Sequence, residues 1–127
     1  GVMQDISGLP REGQQLINSY GDGGFRVSGV RYEGSVLIRP EKTSSWPVGD
    51  IAALELDSLS ALLDEASGMD ILLIGCGEAM VFIEEDIRAA FRAKGVVIDA
   101  MSTGAAVRTY NVLLLERRQV AAALIAV

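Results

Sequence analysis

Histidine is absent from this 127-residue chain. With it go the commonest general base and the commonest neutral metal ligand. Cysteine occurs once, at Cys76, so no disulfide can close within the chain, and a lone thiol suits a reducing compartment. Tryptophan also occurs once, at Trp46, and aromatics make up only 6% of residues. No run of about 18 apolar residues is present, so nothing reads as a transmembrane helix. Residues Gly1 to Pro10 lack the basic-then-apolar order of a secretory signal, and residues 1–14 are expected to form a frayed, polar lead-in. Positive charge is scarce: 11 Lys and Arg stand against 17 Asp and Glu, for a net charge of −6. A phosphate backbone would be repelled by that average field, so nucleic acid is not an expected partner.

What the chain does have is apolar surface. Half its residues are hydrophobic, enough for a single domain over 1–127 with one core and no staples. Its first half reads as strands. Gln15 to Tyr20 alternates roughly, and Gly21-Asp22-Gly23-Gly24 reads as a turn. Phe25 to Val27, Val30 to Tyr32 and Ser35 to Arg39 are short β-branched or aromatic runs, with Glu33-Gly34 as a hairpin signal between the last two. Pro40 ends that strand, and Glu41 to Asp50, which has no period and carries Trp46, reads as a loop.

The second half alternates. Ser58 to Ala66 has leucines at helical spacing. Asp70 to Ile74 is a continuous apolar run of the kind buried on both faces of a sheet. Glu84 to Lys94 sets Ile87, Ala90 and Phe91 on one side of a helix that Gly95 ends. Val96 to Asp99 reads as the next buried strand. A third helix starts at Ser102 or Thr103 and runs to about Glu116, with Ala106, Tyr110, Leu113 and Leu114 inward. Val120 to Val127 reads as a last strand. The expected fold is α/β: three layers around a central mixed, mostly parallel sheet with an N-terminal β-hairpin region.

Two turns carry the candidate chemistry. Gly75-Cys76-Gly77 follows a buried strand and precedes a helix, where backbone N–H groups can cradle an anion. It lacks the third glycine of a dinucleotide fingerprint and the Gly-Lys-Ser/Thr of a P-loop, and a simple tight turn is the favoured reading. Ser102 and Thr103 open the third helix, but no histidine is present to activate them, and N-capping accounts for both. Arg108 and Asn111 share a helix face. They read either as an anion-binding fork or as ties to a nearby loop. Glu84-Glu85-Asp86 fits the electropositive start of a helix. Trp46, on its loop, reads either as a partner surface or as a lid over the core or the crevice. No catalytic residue, metal ligand or cofactor is expected.

Three segments together, Ser35-Val36-Leu37-Ile38-Arg39-Pro40, Leu72-Leu73-Ile74-Gly75-Cys76-Gly77 and Met101 through Glu116, resemble a known family. It is the small domain shared by the adipogenesis-associated domain-containing protein and a mitochondrial assembly factor for respiratory complex I. The resemblance covers nearly the whole chain after about Gln15, and the Met-Ser-Thr-Gly-Ala-Ala-Val-Arg-Thr-Tyr-Asn block beginning at Met101 is its specific part. It implies a three-layer α/β fold and no established enzyme activity. It also implies partners among respiratory-complex or membrane-protein-biogenesis proteins. That family often has threonine where Cys76 stands and cysteine where Val107 stands, which argues against essential thiol chemistry at either place. Without an Arg-rich transit peptide the chain suits a bacterial, cytoplasmic member, reaching membranes through its partners. A homo-oligomer is a further expectation, since hairpin edges invite pairing.

Two functions follow as expectations. One is a non-catalytic interaction protein assisting assembly of respiratory complex I or another membrane complex. The other is a small-ligand binder or enzyme using a crevice between the Gly75–Gly77 and Ser102–Arg108 turns, which would open on one edge of the sheet if their strands are parallel.

Overall fold

The computed structural model describes residues 12–127; the segment Gly1 to Pro10 lies outside the described residues. Eight strands follow in chain order: β1 (Ile17–Gly21), β2 (Gly24–Val27), β3 (Val30–Glu33), β4 (Val36–Arg39), β5 (Lys42–Ser45), β6 (Ile71–Gly75), β7 (Val97–Met101) and β8 (Val120–Leu124). Three α-helices join them: α1 (Ser60–Asp64), α2 (Glu85–Arg92) and α3 (Thr103–Leu115). Short 3₁₀ turns at 51–53, 56–59 and 66–68 flank α1.

The strands form two sheets. One holds β1-β2-β3 and the other β5-β4-β8-β6-β7. In the larger sheet β8, β6 and β7 run parallel, while β4 pairs antiparallel with both β5 and β8. The smaller sheet is antiparallel throughout. The architecture is therefore mixed α/β, and the expectation of a mostly parallel sheet is corrected. The reason is β5. Its Lys-Thr-Ser-Ser sequence has no apolar period, because an edge strand buries little and is kept polar. Read as loop, it concealed a β4–β5 hairpin that extends the parallel strands with antiparallel ones.

The hairpin signal at Glu33-Gly34 is also corrected. β3 and β4 do not pair; Gly34, at φ 78°, carries the chain from one sheet to the other. Arg117 has φ 63° in the turn that ends α3, and its N–H bonds the Leu114 carbonyl at 2.9 Å.

Alternation along the strands divides the apolar residues between the two faces of the larger sheet. Leu37, Leu72, Ile74, Ala121 and Ala123 face a core completed by Leu62 of α1 and by Ile87 and Phe91 of α2. Val36, Ile38, Leu73, Ala122 and Leu124 face a second core, completed by Ala106, Tyr110 and Leu114 of α3 and by Ile17, Phe25 and Val27 of the smaller sheet. Trp46 belongs to the first core, 4% exposed, with its indole N–H donating to the Ser58 carbonyl at 2.8 Å. The reading of Trp46 as a partner surface is thereby corrected. It is a lid on the core, because β5 delivers it inward and the turn before α1 supplies an acceptor for its one polar atom.

Candidate functional site

The carboxyl ends of β6, β7 and β8 lie together along one edge of the larger sheet. The turns at Gly75–Gly77 and Ser102–Thr103 therefore meet there. They meet closely. Cys76 N–H donates to the Met101 carbonyl at 2.8 Å, Thr103 N–H to the Gly77 carbonyl at 2.8 Å, and Ile125 N–H to the Gly75 carbonyl at 2.9 Å. The Thr103 hydroxyl accepts from Gly77 N–H at 2.9 Å and donates to the Ile125 carbonyl at 2.8 Å. Gly77, at φ 103°, needs the conformational freedom of glycine. Gly75 needs its missing Cβ, which would lie 3.0 Å from Thr103 Cα and 2.9 Å from Leu124 Cδ2.

Of the residues picked out in the sequence, Gly75, Cys76, Gly77 and Thr103 form this knot. Ser102 sits beside it as the N-cap of α3, its hydroxyl accepting from Ala105 N–H at 3.3 Å. Cys76 is buried in the first core, with Sγ 3.7 Å from the Ile74 carbonyl and 3.8 Å from that of Val81. Arg108 stands apart, exposed on α3. Asn111 ties α3 to the smaller sheet like one rung of a ladder: its Nδ2 donates to the Ile17 carbonyl at 2.8 Å and its Oδ1 accepts from Ile17 N–H at 2.9 Å. Glu85 and Asp86 occupy the first turn of α2, behind Glu84 as its N-cap residue. No cluster of three or more His, Cys, Asp and Glu side chains suited to a metal ion occurs among the described residues.

The same edge carries a feature that was not legible as a site. Between Gly77 and α2 the chain forms a loop on which Met80 is 54%, Val81 41% and Phe82 85% exposed. Both ends of this loop are fixed. The knot holds one end. At the other, Ile83 is buried, and Arg88 of α2 donates to the carbonyls of Ile83 at 3.2 Å and Ile98 at 2.9 Å. The only signal in the sequence was the aperiodic apolar run 79–83 after a glycine turn. Two adjoining cavities lie at the opposite edge, around Arg39 at the end of β4.

The architecture is that of a mixed α/β domain with two cores sharing one sheet and an apolar loop at the carboxyl edge. The chain belongs to the family of proteins of unknown function DUF498/DUF598, which it matches over residues 17–125. It is 38% identical over 120 residues to an uncharacterized protein of Rhodobacter capsulatus, with 91% of each chain covered. It is 33% identical to NADH dehydrogenase (ubiquinone) 1 alpha subcomplex assembly factor 3 of Xenopus tropicalis, covering 94% of this chain and 67% of that protein. For the human assembly factor 3 the identity is 31%, with 94% and 66% covered. The chain thus spans about two thirds of the length of the assembly factors. Among solved structures, an outer membrane protein from Bartonella henselae superposes with a TM-score of 0.84 at 38% identity, covering 90% of this chain and 96% of that one. A Mth938-like domain from Bordetella pertussis gives a TM-score of 0.82 at 29% identity, covering 98% and 91%.

Proposed function

We propose that this chain is a non-catalytic interaction protein that assists assembly of respiratory complex I, docking through the Met80-Val81-Phe82 loop. The observation that carries this reading is Phe82, 85% exposed on a loop pinned at both ends. An aromatic ring held in water on a fixed backbone has the character of an interface anchor. The assembly-factor relatives support the choice of partner. No helix among the described residues is long and apolar enough to cross a membrane.

The alternative, a ligand in the crevice between the Gly75–Gly77 and Ser102–Arg108 turns, has in its favour that both turns share an edge. Against it, the Gly77 N–H and the Thr103 hydroxyl already bond each other, and Thr103 is fully buried. The interaction reading is the stronger.

The test is recovery of the tagged full chain from its native cells at natural abundance, read by mass spectrometry, beside Phe82→Ser and Arg108→Ala. Subunits of NADH:ubiquinone oxidoreductase should be enriched with the unaltered chain and fall about tenfold or more with Phe82→Ser. The melting temperature should hardly change, as expected at an exposed position. Equal recovery with Phe82→Ser removes the loop from the interface. Absence of complex I subunits from the unaltered chain overturns the assembly role.

A further inference from the structure

Arg39 ends β4 with only 8% of its surface exposed, an unusual place for an arginine. Its Nε lies 2.8 Å from Glu65 Oε2, yet the Nε–H is not aimed along that line and makes no hydrogen bond. Its Nη1 reaches Ser44 Oγ over a long 3.4 Å. A buried guanidinium with an N–H left without a hydrogen bond is costly unless another acceptor completes it. Its surroundings leave room for one. Arg39 lines a cavity of about 460 Å³ and a neighbouring one of about 100 Å³. The larger volume falls in the range of small-molecule sites, about 300–1,000 Å³.

Charge at this cavity runs against the rest of the molecule. On a chain of net charge −6, its lining brings Arg39, Lys42, Arg117 and Arg118 together with Glu12, Glu41 and Glu65. One of those carboxylates is already committed to Arg39. Arg117 sits on this rim in the left-handed conformation, φ 63°, at the place after a helix that glycine usually takes. Its guanidinium is kept there at some conformational cost.

Glu65 is the informative partner. It caps the end of α1, and its side chain is 45% exposed while that of Arg39 is 10% exposed. The carboxylate can swing into water; the guanidinium cannot. From this geometry we infer that the Arg39 cavity binds a small anion bearing a phosphate or carboxylate group, and that Glu65 occupies Arg39 as a built-in competitor until the anion displaces it. A planar guanidinium grips either group through paired N–H donors. The site lies at the amino ends of β6 and β8, on the edge away from the Phe82 loop, and does not depend on the assembly reading.

The experiment is titration of the full chain with pyrophosphate and, separately, succinate at fixed ionic strength, followed by amide NMR shifts, with chloride as the reference. Saturable shifts are expected at Arg39, Lys42 and Gln119, half-complete below about 1 mM. Saturation by pyrophosphate alone assigns a phosphate ligand, and by succinate alone a carboxylate. Arg39→Lys, which keeps the charge and loses the fork, should weaken binding about tenfold, and Glu65→Gln should tighten it several-fold. The two variants push in opposite directions, so a general loss of folding cannot imitate the pattern. No saturation by either anion up to about 10 mM overturns the site. Unchanged or weaker binding in Glu65→Gln overturns the competitor role.

Discussion

Thr103 uses its hydroxyl twice, once as acceptor for Gly77 N–H and once as donor to the Ile125 carbonyl, and so joins the ends of β6, α3 and β8. Its identity as a polar residue opening a helix was legible; its role was not, because both partners are far away in sequence. Tyr110 is a similar case. Its inward position followed from helical spacing, but its hydroxyl bond to the Arg39 carbonyl, 3.3 Å away, joins α3 to the end of β4. Burial pushes the Tyr110 phenol well above its ordinary pKa. The folded state therefore keeps a proton that the unfolded chain gives up near pH ~10. The resulting stability is intact below that pH and declines as the pH climbs past it. Tyr110→Phe should be less stable by about 0.5–1.5 kcal/mol near pH 8 through loss of the hydrogen bond. The gap should narrow above about pH 10, where only the unaltered chain has this phenol to ionise. Urea unfolding at both pH values checks this; curves that stay parallel would exclude a phenol held neutral by the fold.

At the scale of elements, legibility mostly followed burial. β6, β8 and α3 were readable because buried strands are continuous apolar runs and because Ser102 marks a helix start. β7 was found as a strand, but the expectation that it is buried is corrected: as the last strand of its sheet it buries only Ile98 in the core and leaves Val97 64% exposed. β5 was not readable, since a polar edge strand has no alternation to detect, and the apolar run 79–83 showed neither helical nor strand period. Arg39 was missed for a related reason. At the end of a strand and before a proline it resembles any edge residue, and its burial depends on the β5 hairpin and on Glu65 of a distant segment. At the junction of β6 with α3 the backbones pack closely. A methyl group at Gly75 would press on Thr103 Cα at 3.0 Å, and backbone there cannot move without lifting α3 from the sheet. Gly75→Ala should cost about 1–3 kcal/mol, as overpacking does. At Gly104 the added Cβ would meet Tyr20 Oη at 2.5 Å, but that ring is 39% exposed and free to swing outward. Gly104→Ala should therefore cost clearly less. Chemical denaturation of both variants gives the order, and the reverse order would mean that the turns are looser than their hydrogen bonds imply.

The whole molecule is two cores divided by one sheet, with β8 at the centre of that sheet. Ala121, Ala122 and Ala123 are all fully buried. Ala121 and Ala123 belong to the α1–α2 core and Ala122 to the α3 core. These small side chains let helices approach both faces, and they give the cores a common wall. Two cores sharing a central strand should unfold as one unit, as small domains generally do. Ala122→Leu tests this from one side, because it overfills the α3 core and should cost about 1–3 kcal/mol. The single tryptophan, Trp46, reports from the opposite core. Its fluorescence and the far-ultraviolet circular dichroism should then move to lower denaturant together and remain superimposable. If circular dichroism shifts while Trp46 keeps its original midpoint, the cores are separate cooperative units. In that case the edge bearing Phe82, whose loop is anchored in the α1–α2 core through Ile83, would be stabilised independently of the α3 half.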